Sequence, residues 1–260
     1  MPAWQDGSDI GVKIATVHPG NAASGLPAVH ALYILLDGKT GAHRAVMQAR
    51  SLTARRTAAT SALASSFLSR PDASTLLMVG AGALAIPLID AHSSVRPIRN
   101  VLLWNRTRAR AEHAVNRLDL PGVACTVVDD LEDAVRQADI ISTATLSRSP
   151  LVAAEHVQPG THVDLVGAYR NDMQEADSDL MTGASVFVDT REGALVEAGD
   201  LVIPMNEGRF KADHIRGCLQ DLCSGSHHGR TDPQEVTVFK SVGHALEDLV
   251  AARMVAKALT

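Results

Sequence analysis

The stretch Val79-Gly80-Ala81-Gly82-Ala83-Leu84-Ala85 has the spacing G-x-G-x-x-A, where an apolar run gives way to a helical pattern. Gly80 permits the tight turn that ends a strand. Gly82 lets the backbone approach a pyrophosphate, and Ala85 is small enough for close packing of helix on strand. Backbone N–H groups from Ala81 to Leu84, at the helix start, then bind the phosphate anions. The end of the next apolar run selects the dinucleotide. An NAD binder carries Asp or Glu there for the ribose 2′-hydroxyl, whereas this chain has Asn105-Arg106-Thr107. Arg106 can pair with a 2′-phosphate through charge-assisted bonds, with Asn105 and Thr107 as neutral donors. The expected cofactor is NADP(H), with NAD(H) as the alternative. A solvated basic helix start explains Arg108 and Arg110 but not the missing acid.

Two further cations stand in unusual settings. Lys13 lies among apolar neighbours in Gly11-Val12-Lys13-Ile14-Ala15, and Arg56 lies near the start of a helical pattern, beside Arg55. A lysine in such a strand is usually a snorkelling surface residue. An arginine at a helix start opposes the helix dipole, which hints at an anion to bind. The chain has 11 histidines, including the pair His227-His228. Without further ligands at suitable spacing no metal is expected, and His30, His156, His162 and His244 read as structural. No nucleophile elbow, H-E-x-x-H or P-loop lysine occurs.

Alternating and apolar runs give the elements that must hold these residues. Residues 9–50 read as strands: Val12, Ile14 and Thr16 share one face, His30–Asp37 is a buried strand, and Gly38-Lys39-Thr40-Gly41 turns into a strand around Arg44–Met47. Residues 51–69 read as a helix capped by Ser51 or Thr53, with a stripe of Ala58, Ala62, Leu63 and Phe67. After the linker Pro71–Ser74 come strands at Thr75–Val79, Asn100–Trp104, Val123–Val128, Asp139–Ser142, His162–Val166 and Ser185–Val188. Helices alternate with them to Ser93, to Leu118 and over Leu131–Gln137. Thr237–Leu259 begins as a short strand and continues as a long helix. The fold class is therefore α/β: a Rossmann-type doubly wound parallel sheet over 70–215, plus a smaller α+β domain from 1–69 with 230–260. The apolar strands of the smaller domain lack partners within so short a segment, which suggests pairing across a homodimer. The nicotinamide end of a cofactor would lie at the carboxyl ends of the strands, near Thr143, Thr145, Leu146, Val166 and Gly167.

The 260 residues, 46% of them hydrophobic, suffice for a full core. A net charge of −5 and 3% aromatics argue against nucleic-acid and anionic-membrane partners. Three cysteines (Cys125, Cys218, Cys223) form no disulfide framework. With no apolar span and no signal-peptide pattern at MPAWQDGSDIG, a cytoplasmic protein is expected.

The segments MPAW, GVKIATVHPGN, LTARRTAATSALA, VGAGALA, WNRTRARAE, TATLSRSPLV, PGTHVDLVGAYRNDMQEAD, VDTREGALVEAGDL and TVFKSVGHALEDLVAA run through nearly the whole chain. Together they resemble the ornithine cyclodeaminase/mu-crystallin family. The resemblance implies that Lys13 and Arg56 bind a substrate carboxylate, that the smaller domain is the substrate-binding one, and that the protein is a homodimer. It also likens Asn105-Arg106-Thr107 to the motif of NADPH-binding ketimine reductases. Arg56 and Val242 are further candidate contacts of the cofactor. Two departures stand out. Where ornithine cyclodeaminases carry a catalytic aspartate in a G-x-D context, this chain has Gly167-Ala168-Tyr169, with Asp172 three residues on. Family members also begin with a further segment before MPAW, which the resemblance assigns to the subunit interface and part of the substrate pocket.

The expected activity is NAD(P)H-dependent reduction of a small cyclic imine carboxylate. Δ1-pyrroline-2-carboxylate, giving proline, is the first choice and Δ1-piperideine-2-carboxylate, giving pipecolate, the second. Lys13 is the candidate proton source, because desolvation lowers a lysine pKa. The rival readings are an ornithine-cyclodeaminating or hydroxyproline-dehydrating lyase, and an inactive mu-crystallin-like binder of NADPH or another small molecule.

Overall fold

The computed structural model describes residues 1–27 and 29–259. Its elements are β1 (Pro2–Gln5), β2 (Asp9–Val17), β3 (Val29–Asp37), β4 (His43–Gln48), α1 (Ala49–Leu68), β5 (Thr75–Val79), α2 (Ala85–Val95), β6 (Asn100–Trp104), α3 (Arg108–Val115), β7 (Ala124–Val127), α4 (Leu131–Gln137), β8 (Ile140–Thr143), β9 (His162–Leu165), α5 (Ser178–Gly183), β10 (Ser185–Val188), α6 (Arg191–Glu197), α7 (Gly199–Asn206), β11 (Ile215–Cys218), α8 (Leu219–Ser224), β12 (Thr237–Lys240) and α9 (Ala245–Ala258). The chain divides into two compact units, one of residues 1–57 with 243–260 and one of residues 58–242.

The smaller unit is an antiparallel sheet in the order β1-β2-β3-β4, with α9 against it. Period-two alternation sends Asp9, Gly11 and Lys13 of β2 to the same side as Tyr33 and Leu35 of β3. The core on that side is Tyr33, Leu35, Ala49, Leu52, Leu249 and Ala252. Gly11 is required there: a Cβ at this position would overlap the Tyr33 hydroxyl. The opposite face carries Ile14, Leu32 and Val46 at 53%, 40% and 62% exposure. The strands thus find partners within the unit itself, contrary to the expectation that they lack them. His30–Asp37 is likewise buried only at alternate positions.

The larger unit is an eight-stranded sheet in the order β11-β10-β12-β9-β8-β5-β6-β7, every pair parallel. Successive residues of β5 feed opposite layers. Leu76 and Met78 pack with Leu88 and Ile89 of α2 and Ala111 and Ala114 of α3. Leu77 and Val79 join Ala134, Val135, Leu180 and Leu201 from α4, α5 and α7. This is the doubly wound arrangement, and the strand order reverses between β5 and β8, where ligands of such sheets bind.

Three expectations change. Helix α1 starts at Ala49, directly after β4, so Ser51 and Thr53 lie inside it and are not its caps. Leu63 is exposed, because the helix buries Ala58, Ala62, Ala64 and Leu68 instead. The smaller unit ends at Thr57, and residues up to Val242 belong to the larger one. The reasons are packing and pairing. Ala64 and Leu68 pack on Phe187, Leu222 and Phe239, and β12 is hydrogen-bonded between β10 and β9.

Candidate active site

The glycine turn after β5 is built as its spacing predicts. Gly80 has φ +111°, and a Cβ on it would come 2.8 Å from the Ala144 carbonyl oxygen. A Cβ on Gly82 would meet nothing within 4 Å, so the backbone here faces open space. That space is a cleft of about 390 Å³ whose lining includes Gly80, Ala81, Gly82, Asn105, Arg106, Arg110, Thr145 and Leu146. Asn105 braces the turn: its Oδ1 accepts from the Ala81 N–H at 3.1 Å and its Nδ2 donates to the Thr107 carbonyl at 2.9 Å. Arg108 is tied to Glu112 and Asp129. Among the described residues no carboxylate pairs with Arg106 or Arg110, which both border the cleft. Bare glycine backbone for a pyrophosphate, with guanidinium groups beside the second strand, fits a dinucleotide. Ala83, Leu84 and Thr107 flank the cleft in sequence without lining it.

A second set of residues lies where β8 and β9 end. The Glu175 carboxylate is completely buried and gathers both strand ends. Its Oε2 accepts from Thr143 Oγ1 at 2.8 Å and the Gly167 N–H at 2.6 Å; its Oε1 accepts from the Thr145 N–H at 2.6 Å and Thr145 Oγ1 at 2.8 Å. Thr143, Thr145 and Gly167 thus converge on one side chain, with Val166 adjacent and buried. Below it Lys240 Nζ pairs with Asp200 Oδ2 at 3.1 Å, both wholly buried, and Asp200 Oδ1 accepts the Glu175 N–H at 2.7 Å. Burial and the Asp200 charge push the Glu175 carboxyl up, against Lys240 and the two threonines. Val242 follows β12, its N–H bonded to Asp189 Oδ2 at 2.8 Å. Tyr169 is half-buried, and Asp172 is engaged by Arg148 and Arg170. Position 169 thus carries a phenol, and the carboxylate three residues on is held by two arginines.

The third set lies in the smaller unit. Lys13 and Arg56 are both buried and share one carboxylate. Asp248 Oδ2 is 2.6 Å from Lys13 Nζ, and Asp248 Oδ1 accepts from Arg56 Nε at 2.9 Å. Arg56 Nη1 also donates to Glu247 Oε2 at 2.6 Å. The strand lysine is therefore no snorkelling surface residue: it sits on the face covered by α9. Burial lowers its pKa, the hydrogen bond with Asp248 opposes this, and the Arg56 charge adds to the fall. Tyr33, opposite Lys13 in the β2–β3 register, has its phenol pushed up to about 12 by burial and by the charges of Asp248 and Asp9. Two buried cations thus share this place with two carboxylates, Asp248 and Glu247, which offset their charge.

Pattern reading missed Glu175, Asp200, Lys240, Glu247 and Asp248. Asp248 had a signal: it shares a helix face with Ala252 and neighbours Leu249, where a charge is out of place. Glu175, in Met173-Gln174-Glu175-Ala176, had none.

A sequence profile of the ornithine cyclodeaminase/mu-crystallin family matches residues 1–260. A Δ1-pyrroline-2-carboxylate reductase of Paracoccus denitrificans is 41% identical over 258 residues, spanning 99% of this chain and 82% of that protein. A Δ1-pyrroline-2-carboxylate reductase of Thermococcus litoralis, solved with NADH and L-proline, superposes with TM-score 0.92 at 34% identity, over 95% of this chain and 77% of that one. An archaeal alanine dehydrogenase dimer with bound NAD gives TM-score 0.93 at 32% identity, over 99% and 79%.

Proposed function

Because the chain belongs to the ornithine cyclodeaminase/mu-crystallin family, we propose that it reduces a small cyclic imine carboxylate with NAD(P)H, Δ1-pyrroline-2-carboxylate to proline first and Δ1-piperideine-2-carboxylate second. Likeness to Δ1-pyrroline-2-carboxylate reductases in both sequence and structure carries this reading. Reduction adds a hydride to the imine carbon and a proton to the nitrogen, leaving a cyclic secondary amine. The reduced dinucleotide, when bound, supplies the hydride. Gly80 to Leu84 are assigned to its phosphates, its nicotinamide end is assigned to the strand ends at Thr143, Thr145, Leu146, Val166 and Gly167, and Arg56 and Val242 are its further proposed contacts. Lys13 and Arg56 hold the carboxylate and so fix the ring. Lys13, its pKa lowered by burial, is the proton donor this reading names. Tyr169 in the cyclodeaminase acid position speaks against ornithine deamination.

The preferred cofactor in this proposal is NADP(H), on the strength of Arg106 beside the cleft and no acid at Asn105-Arg106-Thr107. NADH and NAD are what the two solved relatives hold. The assembly proposed is a homodimer joined through the apolar outer face of the small sheet, Ile14, Leu32 and Val46 included. The deciding experiment follows NADPH consumption by the purified protein with each imine in turn. Turnover supports the reductase. Ammonia released from ornithine without net cofactor loss would replace it with a lyase, and NADPH binding without any turnover with a binding protein.

A further inference from the structure

The two cations assigned to the substrate carboxylate repel each other. Lys13 projects from β2 and Arg56 from α1, so their spacing needs a third group to set it. The carboxylate that touches both is Asp248, one oxygen on each, at 2.6 and 2.9 Å. It is wholly buried on α9, whose neighbouring inward residues, Leu249 and Ala252, are apolar. A carboxylate is costly to bury, and packing of α9 on the sheet does not require one. Its pairing with two cations at once is what its position achieves.

We propose that Asp248 is a positioning residue for the reaction: it sets the Lys13 ammonium and the Arg56 guanidinium at the spacing of two carboxylate oxygens and keeps Lys13 protonated. The charged and titratable groups around Lys13 are Tyr33 from β3, Arg56 from α1, and Glu247 and Asp248 from α9. Asp9, farther along the same face of β2, is committed to Arg44 and Arg253. Burial and Arg56 both work against the Lys13 charge, and Asp248 has the strongest opposing effect among these groups. What the cation pair binds rests on the reductase reading; the control of Lys13 by Asp248 does not.

The test is an NMR titration of full-length protein labelled at the lysine side chains, with Lys13 assigned by Lys13→Arg. Asp248→Asn is expected to lower the Lys13 midpoint by at least about one pH unit, a tenfold change in its protonation equilibrium. An unchanged midpoint overturns the proposal. In steady-state kinetics on the imine, the alkaline rise in KM should move down in pH by the same amount while kcat at low pH is retained. If Asp248→Asn does not fold, Asp248→Glu decides. It keeps the charge but displaces the carboxylate by one methylene, so the Lys13 midpoint should stay near wild type while KM rises about tenfold. Wild-type KM in that variant overturns the positioning role. Absence of turnover on every imine removes the reductase reading and leaves the titration to judge Asp248.

Discussion

Arg106 and Arg108 lie two residues apart and have different surroundings. Arg108 is neutralised by Glu112 and Asp129, whereas Arg106 borders the cleft with no carboxylate partner among the described residues. Arg106→Ala is therefore expected to weaken NADPH binding by about tenfold and to leave NADH binding nearly unchanged. Titration of both dinucleotides by fluorescence checks this, and equal losses for the two would remove the 2′-phosphate assignment. At the cation pair, Arg56→Ala and Lys13→Ala should each reduce kcat/KM on the imine about a hundredfold, about 3 kcal/mol of carboxylate recognition, with NADPH affinity kept in Lys13→Ala. Full turnover by either variant would refute its role. These residues were legible to different degrees. Gly80 and Arg106 announce themselves because local backbone needs and local charge suffice. Lys13 looked like a surface residue because Asp248, which makes its burial tolerable, lies at the far end of the chain. Glu175 was invisible for the same reason: the threonine it holds at Thr145 is 30 residues away.

Elements were most readable where punctuation is strong. β5 and β6 have the bounds expected, since each is an apolar run bracketed by turn residues. Helix α1 was misplaced at its start because β4 passes into it without a capping residue. β11, at the sheet edge, reads Ile215-Arg216-Gly217-Cys218, where a charge and a glycine break the apolar run that would mark a strand. In the small sheet, Tyr33 is the largest buried side chain between β3 and α9. Its hydroxyl has no hydrogen-bond partner among the described residues. Tyr33→Phe removes that unsatisfied group while preserving the ring, so the protein should be unchanged in stability or more stable by about 1 kcal/mol. A thermal or urea melt measures it. A clear loss of stability would mean that the hydroxyl has a partner in solution.

For the whole molecule, α/β class and doubly wound topology followed from the strand–helix alternation, but the membership of residues 58–69 and 230–242 did not. Only three-dimensional pairing shows β12 inserted between β9 and β10. The interior around these strands gives a pH dependence. His162 is fully buried, and desolvation lowers its pKa to about 3 from 6.5. Between those values the unfolded chain binds a proton that the native state does not, so stability falls as pH drops through the window. One such group contributes a slope of about 1.4 kcal/mol per pH unit. Urea unfolding at pH 7, 6 and 5 should show that His162→Asn has the shallower loss, because its side chain does not titrate; parallel slopes would contradict this.

Both ends of the chain belong to the smaller unit, and its core depends on α9 as much as on β3. During synthesis the first four strands therefore leave the ribosome long before the helix that covers Tyr33 and neutralises Lys13. The hairpins must wait, with that face bare, until α9 has been made. A premature stop or proteolytic trimming near Ala245 would spare the nucleotide cradle yet leave a nascent sheet open to chaperones and to aggregation.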